Sequence, residues 1–345
     1  MELNGAQLTV SLPYPSFAHG LGAILDEDER ARVRLVDWSF KDDGPHDVEA
    51  SEIDMVVLPF HTTADETTEQ YVSTRILRSA LTAATGARLF QAPSIGVEGL
   101  HECIPPGARL GNAAGVMEQP TAELAVTLLL SSARELRAMI EAGDDWANRR
   151  TAGIVGSRVL LLGYGGVGTA VERMLAGFDV ELVRVASRAR LEGSVRVHGV
   201  DELPALLPDV DAVVCTLPLS DRTRGLVDAE VLRSLRDGAI FVNVGRGPVV
   251  DTHALLAEAD TGRLFIAVDV TDPEPLPIGH PLWTLPNVIV TPHIGGNSNA
   301  SHRFQAELLA AQVRRLLAGD GPLNVVPRDP RPARHTAEAP AEASD

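Results

Sequence analysis

The chain is short of the features that mark several classes of protein. It has two cysteines, Cys103 and Cys215, among 345 residues, and they form neither a CxxC motif nor a metal-like cluster. This predicts reduced, buried thiols and no metal site. The sequence has no run of about 18 apolar residues and no basic amino-terminal segment followed by an apolar run, which argues against a membrane span and a secretory signal. We therefore expect a cytoplasmic protein.

Basic residues are also scarce. Lys and Arg total 30 against 47 Asp and Glu, a formal net charge of −17. This charge repels nucleic acid and anionic membranes at long range, so we expect neither as a partner, and an anionic substrate needs a local cation. Hydrophobic residues make up 45% of the chain, and its length exceeds that of a typical single core, which predicts two domains.

A glycine-rich turn lies near the middle of the chain. The apolar run 159–162 predicts a buried strand, three glycines follow at the spacing G-x-G-x-x-G, and a helix is predicted over 169–177. In this order the glycines allow a tight turn and close approach of a dinucleotide pyrophosphate, while the helix amino end offers free N–H groups. An ordinary glycine turn is the alternative. The pattern favours a cofactor site at Tyr164, Gly165, Gly166, Val167 and Gly168.

The end of the next strand bears on which dinucleotide binds. A site that prefers NAD places Asp or Glu about 20 residues beyond the glycines, to accept from the ribose hydroxyls. The strand predicted over 180–186 is followed instead by Ser187 and Arg188, with Arg190 nearby. A hydroxyl and a guanidinium can hold a 2′-phosphate, so the sequence favours NADP over NAD. The alternative is a solvated surface arginine.

Apolar runs alternate with helical patterns on both sides of this turn, which predicts an α/β protein with parallel sheets. A long helix, apolar almost all round, is predicted over 121–140. The tail 327–345 has the composition of a disordered segment. The other strands are predicted at 8–12, 33–36, 55–58, 88–91, 212–218, 239–244, 264–270 and 288–291, and the other helices at 75–84, 229–233, 252–261 and 300–318.

Three residues are candidates for catalysis. Arg246, between two glycines after a predicted strand, could grip a carboxylate with two parallel hydrogen bonds and polarise an adjacent carbonyl. His293 could deliver a proton near neutral pH, and Glu274 could accept from its other ring nitrogen. Spacing alone leaves open that His293 is a structural histidine and Glu274 a plain loop residue.

Separated motifs around these residues resemble the signatures of the D-isomer-specific 2-hydroxyacid dehydrogenases. They occupy 243–251, 267–277, 281–283 and 287–296, in that family's order, and the match is close from 112 to 296. The resemblance implies two domains with doubly wound parallel sheets: a Rossmann-like cofactor domain, 118–296, inserted into a discontinuous flavodoxin-like substrate domain, 1–117 plus 297–326. It also implies the family's usual homodimer, built on the cofactor domains.

The resemblance assigns roles residue by residue. Arg246 would bind the carboxylate and carbonyl of a 2-oxo acid, His293 would be the acid/base, and Glu274 its partner. Trp146 falls where some relatives send a tryptophan into the neighbouring active site, and the alternative is a side chain folded back onto its own domain. His61, at the end of a predicted strand, is a candidate for lining the pocket, and the alternative is a surface histidine. Further substrate contacts are implied at Ile95, Gly96 and Val97, and further cofactor contacts at Leu217, Pro218, Thr223, Val244, Gly245, Asp269 and Gly295.

Differences from the patterns of particular family members reduce the number of candidate substrates. Relatives that oxidise phosphite carry a lysine where Ile95 stands, relatives acting on formate carry glutamine in place of Glu274, and the tail is too short for the regulatory domain of many 3-phosphoglycerate enzymes. We expect glyoxylate, hydroxypyruvate, or a branched or aryl 2-oxo acid. Two other classes stay open: a nucleotide-sensing corepressor on the same fold, and a reductase of other substrates such as imines.

Overall fold

The computed structural model describes residues 7–40, 44–45, 47–59, 62–63, 72–143, 145–146 and 148–328. His61 and residues 329–345 lie outside these ranges. Contacts divide the chain into two compact units: the first comprises 1–93, 97–112 and 310–345, and the second comprises 94–96 and 113–309. The last helix is divided between the units, whereas the sequence motifs predict a boundary at 297.

The first unit is built on a parallel five-stranded sheet. The elements of this unit are β1 (Leu8–Leu12), α1 (Pro15–Ile24), α2 (Glu27–Ala31), β2 (Val33–Asp37), β3 (Met55–Val57), β4 (Thr62–Thr63), β5 (Val72–Ser73), α3 (Thr74–Ala83), β6 (Leu89–Gln91) and β7 (Arg109–Gly111). The order of strands in the sheet is β2-β1-β3-β6-β7. With the short pair β4 and β5 left aside, this is the flavodoxin-like order 2-1-3-4-5.

The second unit begins with two helices and then alternates strands and helices. Its elements are α4 (Glu118–Ala133), α5 (Leu136–Glu141), β8 (Ser157–Leu162), α6 (Gly166–Leu175), β9 (Val180–Ala186), β10 (Arg190–Glu192), β11 (Val195–Gly199), α7 (Leu203–Leu206), β12 (Ala212–Cys215), α8 (Ala229–Ser234), β13 (Ile240–Asn243), α9 (Thr252–Asp260), β14 (Phe265–Val268) and β15 (Val288–Val290). Helix α10 (Asn299–Ala318) follows and crosses the division into the first unit.

The sheet of the second unit has eight strands in the order β10-β11-β9-β8-β12-β13-β14-β15. All neighbours pair in parallel except β10 and β11. From β11 to β14 this is the doubly wound order 3-2-1-4-5-6 of dinucleotide-binding folds. Alternate residues of β8 enter two different apolar clusters, one on each face of the sheet. A strand buried on both faces has to be a continuous apolar run, which is why the sequence pattern identified it.

The predicted elements are confirmed with end shifts of a few residues, apart from one helix. The sequence predicts a single helix over 121–140, but the structure breaks it into α4 and α5 at Glu135, whose φ of +49° is left-handed. The carbonyl of Ala133 accepts from Gly153 N–H at 3.0 Å instead of continuing the helical pattern. The apolar periodicity runs through this break, so the pattern alone could not locate it.

Neither cysteine forms a disulfide and both are buried, as their number and spacing predicted. Burial raises the pKa of Cys215 to about 12, which keeps this thiol protonated and unreactive at neutral pH. In the described part of the chain, no cluster of His, Cys, Asp and Glu side chains is suited to hold a metal ion. None of the helices in the same ranges combines the length and the apolar character needed to cross a membrane.

Candidate active site

The candidate site residues of the second unit lie on loops that leave the carboxyl ends of neighbouring parallel strands. Those of β8, β12, β13, β14 and β15 are adjacent in the sheet, so the loops after them meet at one edge. This edge is where open α/β sheets bind ligands.

The glycine turn after β8 is packed closely against its surroundings. Gly163 has a φ of +107°, and its carbonyl accepts from Thr216 Oγ1 at 2.8 Å. A Cβ on Gly168 would overlap the carbonyl oxygen of Gly163, whereas a Cβ on Gly165 would meet no atom within 4 Å. The first and third glycines therefore close the turn, and the second leaves open space next to the backbone where α6 begins. These residues fit the pyrophosphate of a dinucleotide.

Tyr164, within this turn, lies between two arginines. The guanidinium carbons of Arg184 and Arg190 are 6.0 and 5.9 Å from its ring centroid. Its hydroxyl donates to Glu172 at 2.6 Å, and Arg184 donates to the same carboxylate at 2.7 and 2.9 Å. These contacts fix the side chain of Tyr164 at the start of the turn.

The region expected to select the cofactor lies at the end of β9. Ser187 and Arg188 are exposed and make no side-chain hydrogen bond or ion pair to any described residue. Arg190 is engaged: it donates to Glu192 at 2.8 Å and to the carbonyl of Tyr164 at 3.1 Å. The guanidinium of Arg188 therefore has free donors. Arg188 comes shortly after β9, the strand that lies next to β8 and its glycine turn in the sheet.

The turn that carries Arg246 is held by the side chain of Asn243, which is 1% exposed. Asn243 Oδ1 accepts from Gly245 N–H at 3.0 Å, and its Nδ2 donates to the carbonyl of Arg246 at 3.2 Å. A Cβ on Gly245 would lie 2.5 Å from the carbonyl oxygen of Leu217, and one on Gly247 would overlap the carbonyl oxygen of Thr271. Both positions therefore require glycine, and the turn fixes the backbone of Arg246.

His293 and Glu274 meet as the motifs implied. His293 Nδ1 lies 2.5 Å from Glu274 Oε1, and the two side chains are 39% and 41% exposed. Burial lowers the pKa of His293, but the hydrogen bond and negative charge of Glu274 outweigh it and hold the pKa above its ordinary value. Burial likewise raises the pKa of Glu274, and the contact with His293 outweighs that effect and lowers it.

Arg246 lies near enough for its positive charge to lower the pKa values of Glu274 and His293. One Arg246 donor, Nη1, bonds to the carbonyl of Gly245 at 2.7 Å. The structure therefore groups a guanidinium, an imidazole and a carboxylate, which suit carboxylate binding and proton transfer.

Asp269 has a role that sequence reasoning missed. It was expected to contact the cofactor, but its carboxylate, on a residue 2% exposed, accepts three hydrogen bonds from the loop around His293. Oδ1 accepts from Thr291 Oγ1 at 2.6 Å and Ile294 N–H at 2.9 Å, and Oδ2 from Gly295 N–H at 2.8 Å. The signal in the sequence was an acidic residue directly after an apolar strand. The cofactor contact itself stays a prediction.

The remaining cofactor candidates lie on the loop after β12 or beside the Arg246 turn. Leu217 is 9% exposed and packs against Gly245, and Thr223 Oγ1 donates to the carbonyl of Pro218 at 2.7 Å. Val244 is buried, and its N–H donates to the carbonyl of Cys215 at 3.0 Å. All four residues, Leu217, Pro218, Thr223 and Val244, thus belong to the loops at this edge of the sheet.

The predicted substrate loop lies where the chain passes between the units. Ile95 and Gly96 belong to the second unit and Val97 to the first. Ser94 Oγ donates to the carbonyl of Gly96 at 2.7 Å, which shapes the loop. The contacts of this loop with substrate stay a prediction.

The chain is similar in sequence to known proteins. Residues 126–295 match the family model described as D-isomer specific 2-hydroxyacid dehydrogenase, NAD binding domain. A glyoxylate reductase/hydroxypyruvate reductase from Homo sapiens is 32% identical over 261 residues, covering 72% of this chain and 78% of the relative. A glyoxylate/hydroxypyruvate reductase B from Yersinia enterocolitica is 33% identical over 260 residues, covering 70% and 74% respectively.

A solved structure is similar over nearly the whole length. The D-isomer specific 2-hydroxyacid dehydrogenase from Xanthobacter autotrophicus, in complex with NADPH and MES, is 26% identical with a TM-score of 0.74. The alignment covers 94% of this chain and 98% of that one. Its similarity extends over both units, beyond the residues that the family model matches.

Proposed function

We infer the reaction from the premise that this chain belongs to the D-isomer-specific 2-hydroxyacid dehydrogenase family. It is a nicotinamide-dependent oxidoreductase, and we propose that it reduces a small 2-oxo acid to the D-2-hydroxy acid, with NADPH as the preferred reductant. The observation that carries the proposal is the contact of 2.5 Å between His293 and Glu274, with the charge of Arg246 close by.

Each catalytic side chain has a separate task. The guanidinium of Arg246 binds the substrate carboxylate and draws electron density from the neighbouring carbonyl oxygen. His293 engages Glu274 through Nδ1, so Nε2 is the nitrogen that protonates the carbonyl oxygen. Glu274 fixes the ring orientation and favours the imidazolium form. Bound NADPH supplies the hydride.

The reductase names of the relatives support glyoxylate or hydroxypyruvate as the substrate. Both are small 2-oxo acids, and the single free carboxylate of each suits one guanidinium. Branched and aryl 2-oxo acids stay the alternatives. A panel of these acids with NADPH, monitored by loss of its absorbance, tests the proposal.

The matched control for this panel is Arg233→Ala, because Arg233 lies on the short helix α8 and its Nε donates only to a backbone carbonyl, that of Ala229. We expect Arg246→Ala to lose most activity and Arg233→Ala to retain it. Cofactor binding without turnover of any acid in the panel would favour a nucleotide-sensing corepressor. Undiminished turnover of an imine by Arg246→Ala would favour a reductase of another substrate class.

The preference for NADP rests on Ser187 and Arg188, whose side chains have free donors. The related protein from Xanthobacter, which was solved with NADPH, adds support. We expect kcat/KM to be higher with NADPH than with NADH, and Arg188→Ala to reduce the NADPH value by about tenfold or more while sparing NADH. A clear NADH preference of the unaltered enzyme would refute the role given to Arg188.

We also propose a homodimer formed by the second unit. Four large apolar side chains in one segment of this unit are exposed, among them Trp146 at 97% and Ile140 at 77%. The others are Leu136 and Val155. Several exposed large apolar side chains within about 20 residues of sequence are a feature that a subunit interface would explain. Light scattering during size-exclusion chromatography tests the homodimer, and a monomeric mass would reject it.

The cytoplasmic location stays a prediction, tested by cell fractionation.

A further inference from the structure

Glu118, at the start of α4, lies against the glycine turn. A Cβ placed on Gly166 would lie 2.7 Å from Cγ and 2.8 Å from Oε1 of Glu118. A carboxylate is thus in direct contact with the first residue of α6, where the turn leaves room for the cofactor. Neither the catalytic group nor the cofactor contacts inferred from the sequence include this residue.

The two carboxylate oxygens of Glu118 differ in their surroundings. Oε1 accepts from Gly115 N–H at 2.7 Å. Oε2 is shielded from solvent and has no hydrogen-bond partner among the described residues. A buried carboxylate oxygen without a donor is costly, and in a native protein such an atom needs an explanation. A donor supplied by a ligand would provide it.

The neighbours of Glu118 indicate which part of a dinucleotide would reach it. A Cβ on Gly296 would lie 2.9 Å from Met117 Cε, and one on Gly295 would lie 3.4 Å from Thr121 Cγ2. The first turn of α4 therefore extends from the glycine turn to the loop that carries His293. A bound dinucleotide would have its pyrophosphate at the glycine turn and its reactive carbon near His293. Its nicotinamide riboside would then lie beside the first turn of α4.

We propose that Glu118 Oε2 accepts a hydrogen bond from the nicotinamide riboside half of the bound cofactor. The donor is a ribose hydroxyl or the carboxamide N–H, and both are neutral groups that can donate to a carboxylate. This makes Glu118 a cofactor-binding residue that positions the nicotinamide. The inference rests on the proposed function, because it requires a nicotinamide dinucleotide at this site.

Glu118→Gln tests the inference, because the amide keeps an acceptor for Gly115 and replaces Oε2 with a donor. We expect NADPH to bind about tenfold more weakly or worse, because a hydrogen bond to a charged group is lost. Binding of adenosine 2′,5′-bisphosphate, which lacks the nicotinamide half, should change by less than about twofold, within the scatter of such comparisons. Calorimetry measures both. Glu123→Gln, an exposed carboxylate on the same helix, is the matched control and should behave as wild type.

A second ligand identifies the donor. The 3-acetylpyridine analogue of NADP lacks the carboxamide N–H. If its binding falls in Glu118→Gln as that of NADP does, the donor is the ribose. If its binding is unchanged, the donor is the carboxamide. Either result supports the inference.

Three results would overturn it. If Glu118→Gln binds NADPH as tightly as the unaltered protein does, or more tightly, then Oε2 takes no donor from the cofactor. If the binding of NADPH and that of adenosine 2′,5′-bisphosphate weaken equally, in this variant and in Glu118→Ala, then Glu118 only supports the glycine turn. Failure of the unaltered protein to bind either NADPH or NADH would refute the proposed function itself. If NADH proves to be the cofactor, the same comparison is made with NADH and AMP.

Discussion

The backbone of His293 has a φ of +51°, a left-handed conformation that is costly for most residues with a side chain. Its N–H donates to the carbonyls of Asp269 at 2.8 Å and Thr291 at 3.0 Å. These bonds hold the strained residue in place and direct its ring toward Glu274. Strain of this kind at a proton-transferring residue is typical of catalytic sites.

Asparagine tolerates this conformation better than most other residues, so His293→Asn removes the acid/base group with little disturbance of the loop. We expect kcat for 2-oxo acid reduction to fall by about a hundredfold or more, with the melting temperature unchanged. Steady-state kinetics and calorimetry check both. His253→Asn, at an exposed position on α9, is the control. Activity close to wild type would show that another group donates the proton.

Glu274→Gln should shift the pH dependence of the reaction. Reduction needs protonated His293, so its rate falls as pH rises through the pKa of His293, which Glu274 holds above the ordinary value. Without that carboxylate, burial and the charge of Arg246 lower this pKa, and the falling limb moves to lower pH. Profiles of kcat/KM for reduction, with Glu230→Gln as control, measure the shift. If the falling limb stays in place or moves to higher pH, Glu274 does not raise the pKa of His293 as proposed.

At this scale the motifs predicted the chemistry of the site but not all of its contacts. Roles could be assigned to Arg246, Glu274 and His293 because the motifs around them resemble those of a known family, whereas spacing alone left His293 and Glu274 open. The hydrogen bonds of Asp269 and the contact of Glu118 with Gly166 depend on how segments far apart in sequence pack together. No local pattern contains that information, so the structure was needed to find them.

Among the elements, the loop after β15 depends on the end of β14. The carboxylate of Asp269 receives three donors from that loop. In Asp269→Asn one carboxylate oxygen becomes an amide donor that faces N–H or hydroxyl donors. We expect a loss of about 1–3 kcal/mol in stability and a clear fall in kcat, because His293 is no longer held in position.

Urea denaturation and steady-state kinetics measure the two effects, and Asp260→Asn, an exposed residue at the end of α9, is the control. If Asp269→Asn loses kcat without losing stability, then Asp269 acts on the cofactor rather than on the loop. That result would support the cofactor contact implied by the sequence motifs.

Helices and strands could be predicted where the spacing of apolar residues followed one clear pattern. Strands buried on both faces, such as β8 and β12, are continuous apolar runs and were recognised. The edge strand β10 is exposed throughout and has no apolar run to reveal it, so it was missed together with its antiparallel partner β11. The break at Glu135 was missed because a single left-handed residue leaves the composition of the helix unchanged.

For the whole molecule, cofactor binding should appear as thermal stabilisation. A ligand that binds only the folded state adds about 2.7 kcal/mol at a concentration 100 times its Kd. Saturating NADPH should therefore raise the melting temperature more than NADH at the same concentration, and Arg188→Ala should remove most of that difference. Scanning calorimetry checks this. Equal shifts with both dinucleotides would leave the fold assignment intact and refute the NADP preference.

The carboxylate of Asp269 also has a consequence for hydrogen exchange. Ile294 and Gly295 belong to no strand or helix, and loop amides commonly exchange with solvent quickly. Their N–H groups, however, are bonded to the nearly inaccessible carboxylate of Asp269, which directly follows β14. Their deuterium uptake should therefore be as slow as that of the strand amides, which would mark the His293 loop as part of the rigid framework of the sheet.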